Sequence, residues 1–146
     1  MKDDLQIKIS QYFSLLHKWN YSYETYAKSA GLSYTSLSIM SEIYEKGTCT
    51  QKELAESCLL PKQTVNAVIT SFLKKGWVRL EELPEDRRTK TVMFTEAGKE
   101  KAAAIMSRVI KSEHEAMSRL TEQQRESLLA LTKLFIESCI DSIKND

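Results

Sequence analysis

The chain has 146 residues, of which 42% are hydrophobic and 28% charged, and its formal net charge is +1. This length suits one domain, and the composition is typical of a globular chain rather than a disordered one. The near-neutral total identifies no partner by itself, so the distribution of charge along the chain matters more.

The sequence carries few signs of redox, metal or catalytic chemistry. Cys49, Cys58 and Cys139 are widely spaced, and the two histidines lie far apart, so we predict neither a disulfide framework nor a metal site. Cys58 and Cys139 are interpreted as buried, inert thiols, while the role of Cys49 stays open. No catalytic triad motif or phosphate loop is present, so we expect no enzyme and no cofactor.

The expected location is a reducing cytoplasm, since the cysteine usage indicates no oxidised framework. The N-terminal residues lead into no apolar segment of a signal peptide. No run of about 18 apolar residues occurs, so no membrane span is predicted.

Four Gly and two Pro in the whole chain predict a mainly helical protein. Apolar residues at helical spacing predict a first helix over about 5–30, and Ser33 begins a second helix that stops before Gly47. Residues 48–49 fit a short extended piece. Thr50 and Glu53 form a capping box for a short third helix, and Pro61 is predicted at the first position of a fourth.

The period then changes. Residues 77–82 and 90–94 are rich in β-branched and aromatic side chains and flank a turn, which predicts a hairpin. Thr95 is expected to cap a long fifth helix, and Thr121 with Gln124 a sixth, ending near Ile143. The apolar arc of this last helix is wider than a surface helix needs, so a second copy of the chain is the simplest cover for it.

The order from Thr50 onward is therefore helix, turn, helix, hairpin, which is the order of a winged helix-turn-helix. The apolar stripe of the fourth helix leaves an outward face of small, amide and basic side chains suited to base edges in a major groove. Its predicted DNA-binding residues are Lys62, Gln63, Thr64, Asn66, Ala67, Thr70 and Lys74. Residues 62–90 contain seven Lys or Arg and four acids, a balance of +3 against +1 for the chain, so positive charge is concentrated there.

These motifs resemble the MarR family of winged-helix regulators over nearly the whole chain. The most specific signature is Asp86-Arg87-Arg88 followed by Phe94-Thr95-Glu96-Ala97-Gly98, with Phe94 where Leu is commoner. Leu60-Pro61 and Thr64-Val65 also match the start of the family's recognition helix. The resemblance implies one domain over 1–146: a winged helix-turn-helix at about 33–95, and dimerisation helices at 5–30 and 96–144.

The resemblance further implies a homodimer on a pseudo-palindromic operator in double-stranded DNA, with recognition helices in major grooves and wing tips in minor grooves. Arg88 is expected to enter the minor groove, while Arg87 and Lys90 contact phosphates. Asp86 would repel phosphate, so we expect a hydrogen-bonded pair in which it orients an arginine. A charged hairpin tip without any role is the alternative.

The resemblance also implies a small-molecule effector, and the aromatic first helix suggests a small aromatic ligand. The candidate pocket residues are Tyr12, His17, Trp19 and Tyr44; the alternative is that most aromatic residues form core and dimer interface. The overall prediction is a sequence-specific transcriptional regulator, acting as a ligand-responsive repressor. The alternative function is a winged-helix protein-interaction module without DNA binding.

Overall fold

The computed structural model describes residues 3–145, and these residues form six helices and three short strands. The mainly helical winged helix-turn-helix fold is confirmed. In chain order the elements are α1 (Asp4–Ser29), α2 (Tyr34–Lys46), β1 (Thr48–Thr50), α3 (Gln51–Cys58), α4 (Lys62–Lys74), β2 (Val78–Glu82), β3 (Lys90–Phe94), α5 (Glu96–Ser118) and α6 (Glu122–Asn145).

The helix boundaries follow the capping residues read from the sequence. Ser33 accepts a hydrogen bond from the Ser36 N–H, and both halves of the Thr50–Glu53 capping box are formed. The prediction that Pro61 is the first helical residue was wrong by one position. Its ψ of 145° is extended, and its carbonyl accepts from the Val65 N–H, so Pro61 is the N-cap and α4 begins at Lys62.

The strands form one antiparallel sheet in the order β1-β3-β2. In the β2–β3 hairpin Val78 pairs with Phe94, and Glu82 pairs with Lys90. The extended piece predicted at residues 48–49 is β1, which adds to the other edge of β3. Because β1 leads directly into α3, the sheet fixes where the helix-turn-helix starts.

The core lies between α2, α3, α4, the sheet and the first part of α5. It consists mainly of aliphatic side chains, with two aromatic rings, those of Phe72 and Phe94. Buried positions in α4 recur at helical spacing, which fixes its opposite face toward solvent. These α4 positions are Val65, Val68, Ile69 and Phe72.

The described residues group into two compact units, one ending at Met106 and the other beginning at Ser107. The first holds the winged helix-turn-helix and α1; the second holds the end of α5 and α6. The prediction of a single domain therefore stays a prediction. No helix within residues 3–145 combines the length and the apolar character that crossing a membrane would need.

Candidate nucleic-acid interface

The outward face of α4 is a continuous polar stripe. Gln63, Asn66, Ala67 and Thr70 are spaced by three and four residues, so they follow one another along one side of the helix. These four side chains are exposed, as are Lys62 and Lys74 at the two ends, whereas Thr64 is half-buried. The residues predicted to read DNA therefore share one accessible surface, with Thr64 at its edge.

The turn between α3 and α4 is tight and contains an unusual backbone conformation. Leu59 has φ of 53° and ψ of 47°, in the left-handed region that side chains other than Gly and Asn rarely adopt. The Leu60 N–H donates to the Ala55 carbonyl at 3.0 Å, which closes the end of α3. The Leu59 side chain is 88% exposed, so the turn is held by its backbone and not by packing of this leucine.

The wing tip consists of two consecutive β-turns. In the first, the Asp86 N–H donates to the Leu83 carbonyl at 3.2 Å, with Pro84 at the position where its fixed φ suits a turn. In the second, the Thr89 N–H donates to the Asp86 carbonyl at 3.2 Å. Arg87 and Arg88 are the two central residues of this second turn, and both side chains are exposed. The tip thus presents two adjacent arginines at its apex.

Asp86 forms the hydrogen-bonded pair expected from the sequence, but with the backbone of an arginine. Its Oδ1 accepts from the Arg88 N–H at 2.9 Å, and its Oδ2 accepts from the Thr89 hydroxyl at 2.8 Å. The Thr89 hydroxyl, and then the Arg88 N–H, hold the pKa of Asp86 below its usual value, because both bonds favour the ionised carboxylate. Asp86 therefore fixes the turn that carries Arg88 while leaving the guanidinium free.

The cations of this surface differ in whether they already have partners. Arg79 is paired with Glu81, and the Lys75 ammonium lies 4.6 Å from the centre of the Trp77 ring. Among residues 3–145, no carboxylate lies within ion-pair distance of Arg87, Arg88 or Lys90. Binding of phosphate by these wing cations breaks no existing ion pair.

A junction that sequence reasoning missed ties α4, the wing and α5 together. The Thr95 N–H donates to the Trp77 carbonyl at 2.9 Å, and the Thr95 hydroxyl donates to the Gly76 carbonyl at 2.6 Å. The same hydroxyl accepts from the Gly98 N–H at 3.1 Å. A Cβ on Gly98 would lie 1.8 Å from the Trp77 carbonyl oxygen, so only glycine fits. The spacing of Thr95 and Gly98 in the sequence was the signal that could have indicated this junction.

The candidate effector residues lie on α1 and α2. Tyr12 is half-buried, and His17, Trp19 and Tyr44 are exposed. The Trp19 and Tyr23 rings have centroids 5.7 Å apart. The pocket formed by these residues stays a prediction.

The cysteines show no pairing. Cys49, Cys58 and Cys139 are free thiols, and Cys49 is buried in β1. Burial raises the pKa of Cys49 to about 11 and that of Cys58 above its ordinary value. Within the described part of the chain, no cluster of His, Cys, Asp and Glu side chains could hold a metal ion.

This chain is similar in sequence to known helix-turn-helix proteins. A model of the MarR family matches residues 30–89, which span α2 to the wing tip. The chain is 27% identical to an uncharacterized helix-turn-helix-type transcriptional regulator, YwoH of Bacillus subtilis, over 130 residues, covering 84% of this chain and 94% of that one.

Solved structures of similar fold include a MarR family regulator and a protein bound to DNA. A MarR family regulator from Neisseria meningitidis superposes with a TM-score of 0.80 at 22% identity, covering 94% of this chain and 97% of that one. Reduced AbfR bound to DNA superposes with a TM-score of 0.65 at 18% identity, covering 92% of each chain.

The fold and the exposed stripe, turn and wing define a winged helix-turn-helix protein. The match of the MarR family model to residues 30–89 confirms the resemblance drawn from the sequence over the helix-turn-helix and the first part of the wing.

Proposed function

We propose that this protein is a sequence-specific double-stranded DNA-binding regulator of transcription, acting as a homodimeric, ligand-responsive repressor on a pseudo-palindromic operator. The observation that carries the proposal is the exposed polar stripe of α4 together with a wing tip whose two arginines have no ion-pair partner among residues 3–145. The DNA-bound structure of a protein with the same fold supports it. The proposal assigns the protein no catalytic role.

The chemistry of the α4 side chains indicates which of them would contact bases and which would contact phosphates. Gln63, Asn66 and Thr70 carry hydrogen-bonding groups that match base edges in the major groove, and Ala67 allows close approach to a thymine methyl group. Lys62 and Lys74 lie at the two ends of the stripe, where they can neutralise phosphates.

The wing supplies a second contact. Arg88 at the apex enters a minor groove, where the electrostatic potential is most negative in narrow A·T-rich segments. Arg87 and Lys90 contact the flanking phosphates, and Asp86 holds the turn that presents Arg88.

Dimerisation is supported by apolar side chains that the single chain leaves uncovered. None of the described α6 side chains is buried, although this helix is rich in leucine and isoleucine. Burial of one such side chain contributes about 1.5–3 kcal/mol, and association costs about 4–15 kcal/mol, so several must be covered together. The exposed ones are Leu128, Leu129, Leu131, Leu134, Ile136, Ile140 and Ile143.

The effector is proposed to be a small aromatic compound held near Tyr12, His17, Trp19 and Tyr44. The support is that Trp19 and Tyr44 expose 58% and 40% of their surfaces, which is costly for aromatic rings unless something covers them. Quenching of Trp19 fluorescence by a panel of phenols, with loss of the quench in Trp19→Phe, tests this part of the proposal.

A gel-shift titration over a salt series tests DNA binding. The logarithm of the association constant should fall linearly with the logarithm of salt concentration. Because the proposed homodimer carries two copies of Arg88, Arg88→Ala should reduce the magnitude of this slope by about two. Arg119→Ala removes the same charge from the turn after α5 and serves as the matched control. Unchanged affinity in Arg88→Ala with native circular dichroism would contradict the wing assignment; no binding by the wild type would favour a protein-interaction module.

A further inference from the structure

One side-chain contact crosses between the two helices of the helix-turn-helix. The Oε1 of Gln51, the first residue of α3, accepts a hydrogen bond from Nδ2 of Asn66 on α4 at 3.3 Å. Asn66 is exposed and Gln51 is half-buried, so the contact lies at the surface where the α4 stripe faces outward. The position of Gln51 in the sequence does not by itself indicate a role in DNA binding.

The backbone of Gln51 is unusually well fixed for a residue at a helix start. It follows Thr50, which pairs with Thr91 in the sheet and caps α3 through its hydroxyl. The Thr50 N–H is in turn held by the Glu53 carboxylate at 3.2 Å. The Gln51 side chain therefore extends from a rigid point toward α4 and restricts the rotation of the Asn66 amide.

The hydrogen bond with Gln51 leaves Asn66 with an acceptor and a donor that can bind a base. Its Oδ1 and the second hydrogen of Nδ2 have no partner among the described residues. An amide with one free acceptor and one free donor side by side matches adenine, which offers a donor at N6 and an acceptor at N7 in the major groove. An amide held in place loses less rotational freedom on binding than a free one.

We propose that Gln51 is a positioning residue for base recognition: it holds the Asn66 amide in the orientation that pairs with an adenine edge. This inference rests on the proposed DNA-binding function and adds to it a determinant of specificity outside the recognition helix. Gln51 acts through Asn66 and makes no base contact of its own.

The experiment begins with a duplex library carrying about 20 randomised base pairs, two helical turns, from which the full-length wild-type protein selects its preferred sequence. The same selection with Asn66→Ala identifies the A·T pair whose preference is lost. Dissociation constants are then measured for the preferred duplex and for one with that pair changed to G·C. The proteins compared are the wild type, Gln51→Ala, Asn66→Ala and the double variant.

The wild type should favour the A·T duplex about tenfold, and Gln51→Ala should reduce this ratio to about threefold or less. The double variant should match Asn66→Ala, because Gln51 has nothing to position once the amide is gone. Gln51→Glu keeps an acceptor for Asn66 and should retain most of the discrimination despite weaker binding. Lys52→Ala, at the neighbouring exposed position, should leave the ratio unchanged.

Three results would overturn the inference and leave the proposed function standing. A tenfold ratio retained in natively folded Gln51→Ala would show that Asn66 needs no support. A loss of affinity that is equal on both duplexes would make Gln51 a phosphate contact. A selection in which Asn66→Ala loses no base preference would remove the residue that Gln51 is said to position. Failure of the wild type to enrich any sequence would instead refute the proposed function, and this inference with it.

Discussion

Replacing Gly98 by alanine should destabilise the protein strongly, although alanine is the better helix former. The added Cβ would lie 1.8 Å from the Trp77 carbonyl oxygen and 2.6 Å from its carbon, both of them backbone atoms that no rotamer change can move. Relief requires α5 to move away from the Trp77 backbone by about 1 Å or more. That shift would also stretch the 2.9 Å hydrogen bond from the Thr95 N–H to the same carbonyl.

The expected loss follows from three contributions. Forced overpacking costs about 3 kcal/mol, at the upper end of its usual range. Loss of the Trp77–Thr95 hydrogen bond adds about 1 kcal/mol, and the better helix propensity of alanine returns about 1 kcal/mol. The free energy of unfolding in Gly98→Ala should therefore fall by about 3 kcal/mol.

Urea unfolding followed by circular dichroism measures this change. It is done at one fixed protein concentration, because the apparent stability of the proposed homodimer would depend on concentration. Ala97→Gly is the matched control, because Ala97 is exposed in the same turn and should lose only about 1 kcal/mol. Wild-type stability in Gly98→Ala, or a larger loss in Ala97→Gly, would refute the reasoning.

Three further predictions concern Leu59, Asp86 and Cys49. Leu59→Gly should raise the free energy of unfolding by about 0.5–1 kcal/mol, because release of left-handed strain exceeds the entropy cost of glycine; urea unfolding that shows a loss would contradict this. Asp86→Asn keeps an acceptor for the Arg88 N–H and should bind DNA at least as tightly as wild type, whereas Asp86→Ala should bind more weakly. Equal affinities of the two variants in a gel shift would show that the Asp86 hydrogen bond to the turn does not affect DNA binding. Burial raises the pKa of Cys49 from 9.0 to about 11, so at pH 8 its alkylation in the native protein should be at least about 100-fold slower than in urea. The alkylation rate of the native protein should increase as the pH rises, and mass spectrometry of the labelled peptide measures this rate.

The fold could be predicted from the sequence because its signals are local. Capping residues fix where helices begin: Ser33, the Thr50–Glu53 pair and the Thr121–Gln124 pair all act as predicted. The apolar spacing of α4 also identified its buried face. Each of these signals involves residues within a few positions of one another, so no tertiary information is needed.

The contacts that complete the candidate site were not predictable in the same way. Gln51 and Asn66 are fifteen residues apart, and nothing in either residue type indicates that their side chains meet. The left-handed conformation of Leu59 was missed because a turn of this kind would be expected to carry Gly or Asn there. The pairing of Asp86 was expected with an arginine side chain, but the compact double turn brings the Arg88 N–H closer.

The wing shows how a nearly neutral chain can present a surface suited to the proposed binding of a polyanion. Asp86 stays ionised at neutral pH, because its pKa is lowered, and Glu85 adds a second negative charge next to it. Together with Arg87, Arg88 and Lys90 the tip has a net charge of only +1. Attraction to phosphate must therefore come from placement: the Asp86 carboxylate faces the Arg88 N–H and the Thr89 hydroxyl, while the arginines occupy the apex. Because exposed charges are screened beyond about 8 Å at physiological salt, contact geometry outweighs the net charge of the chain.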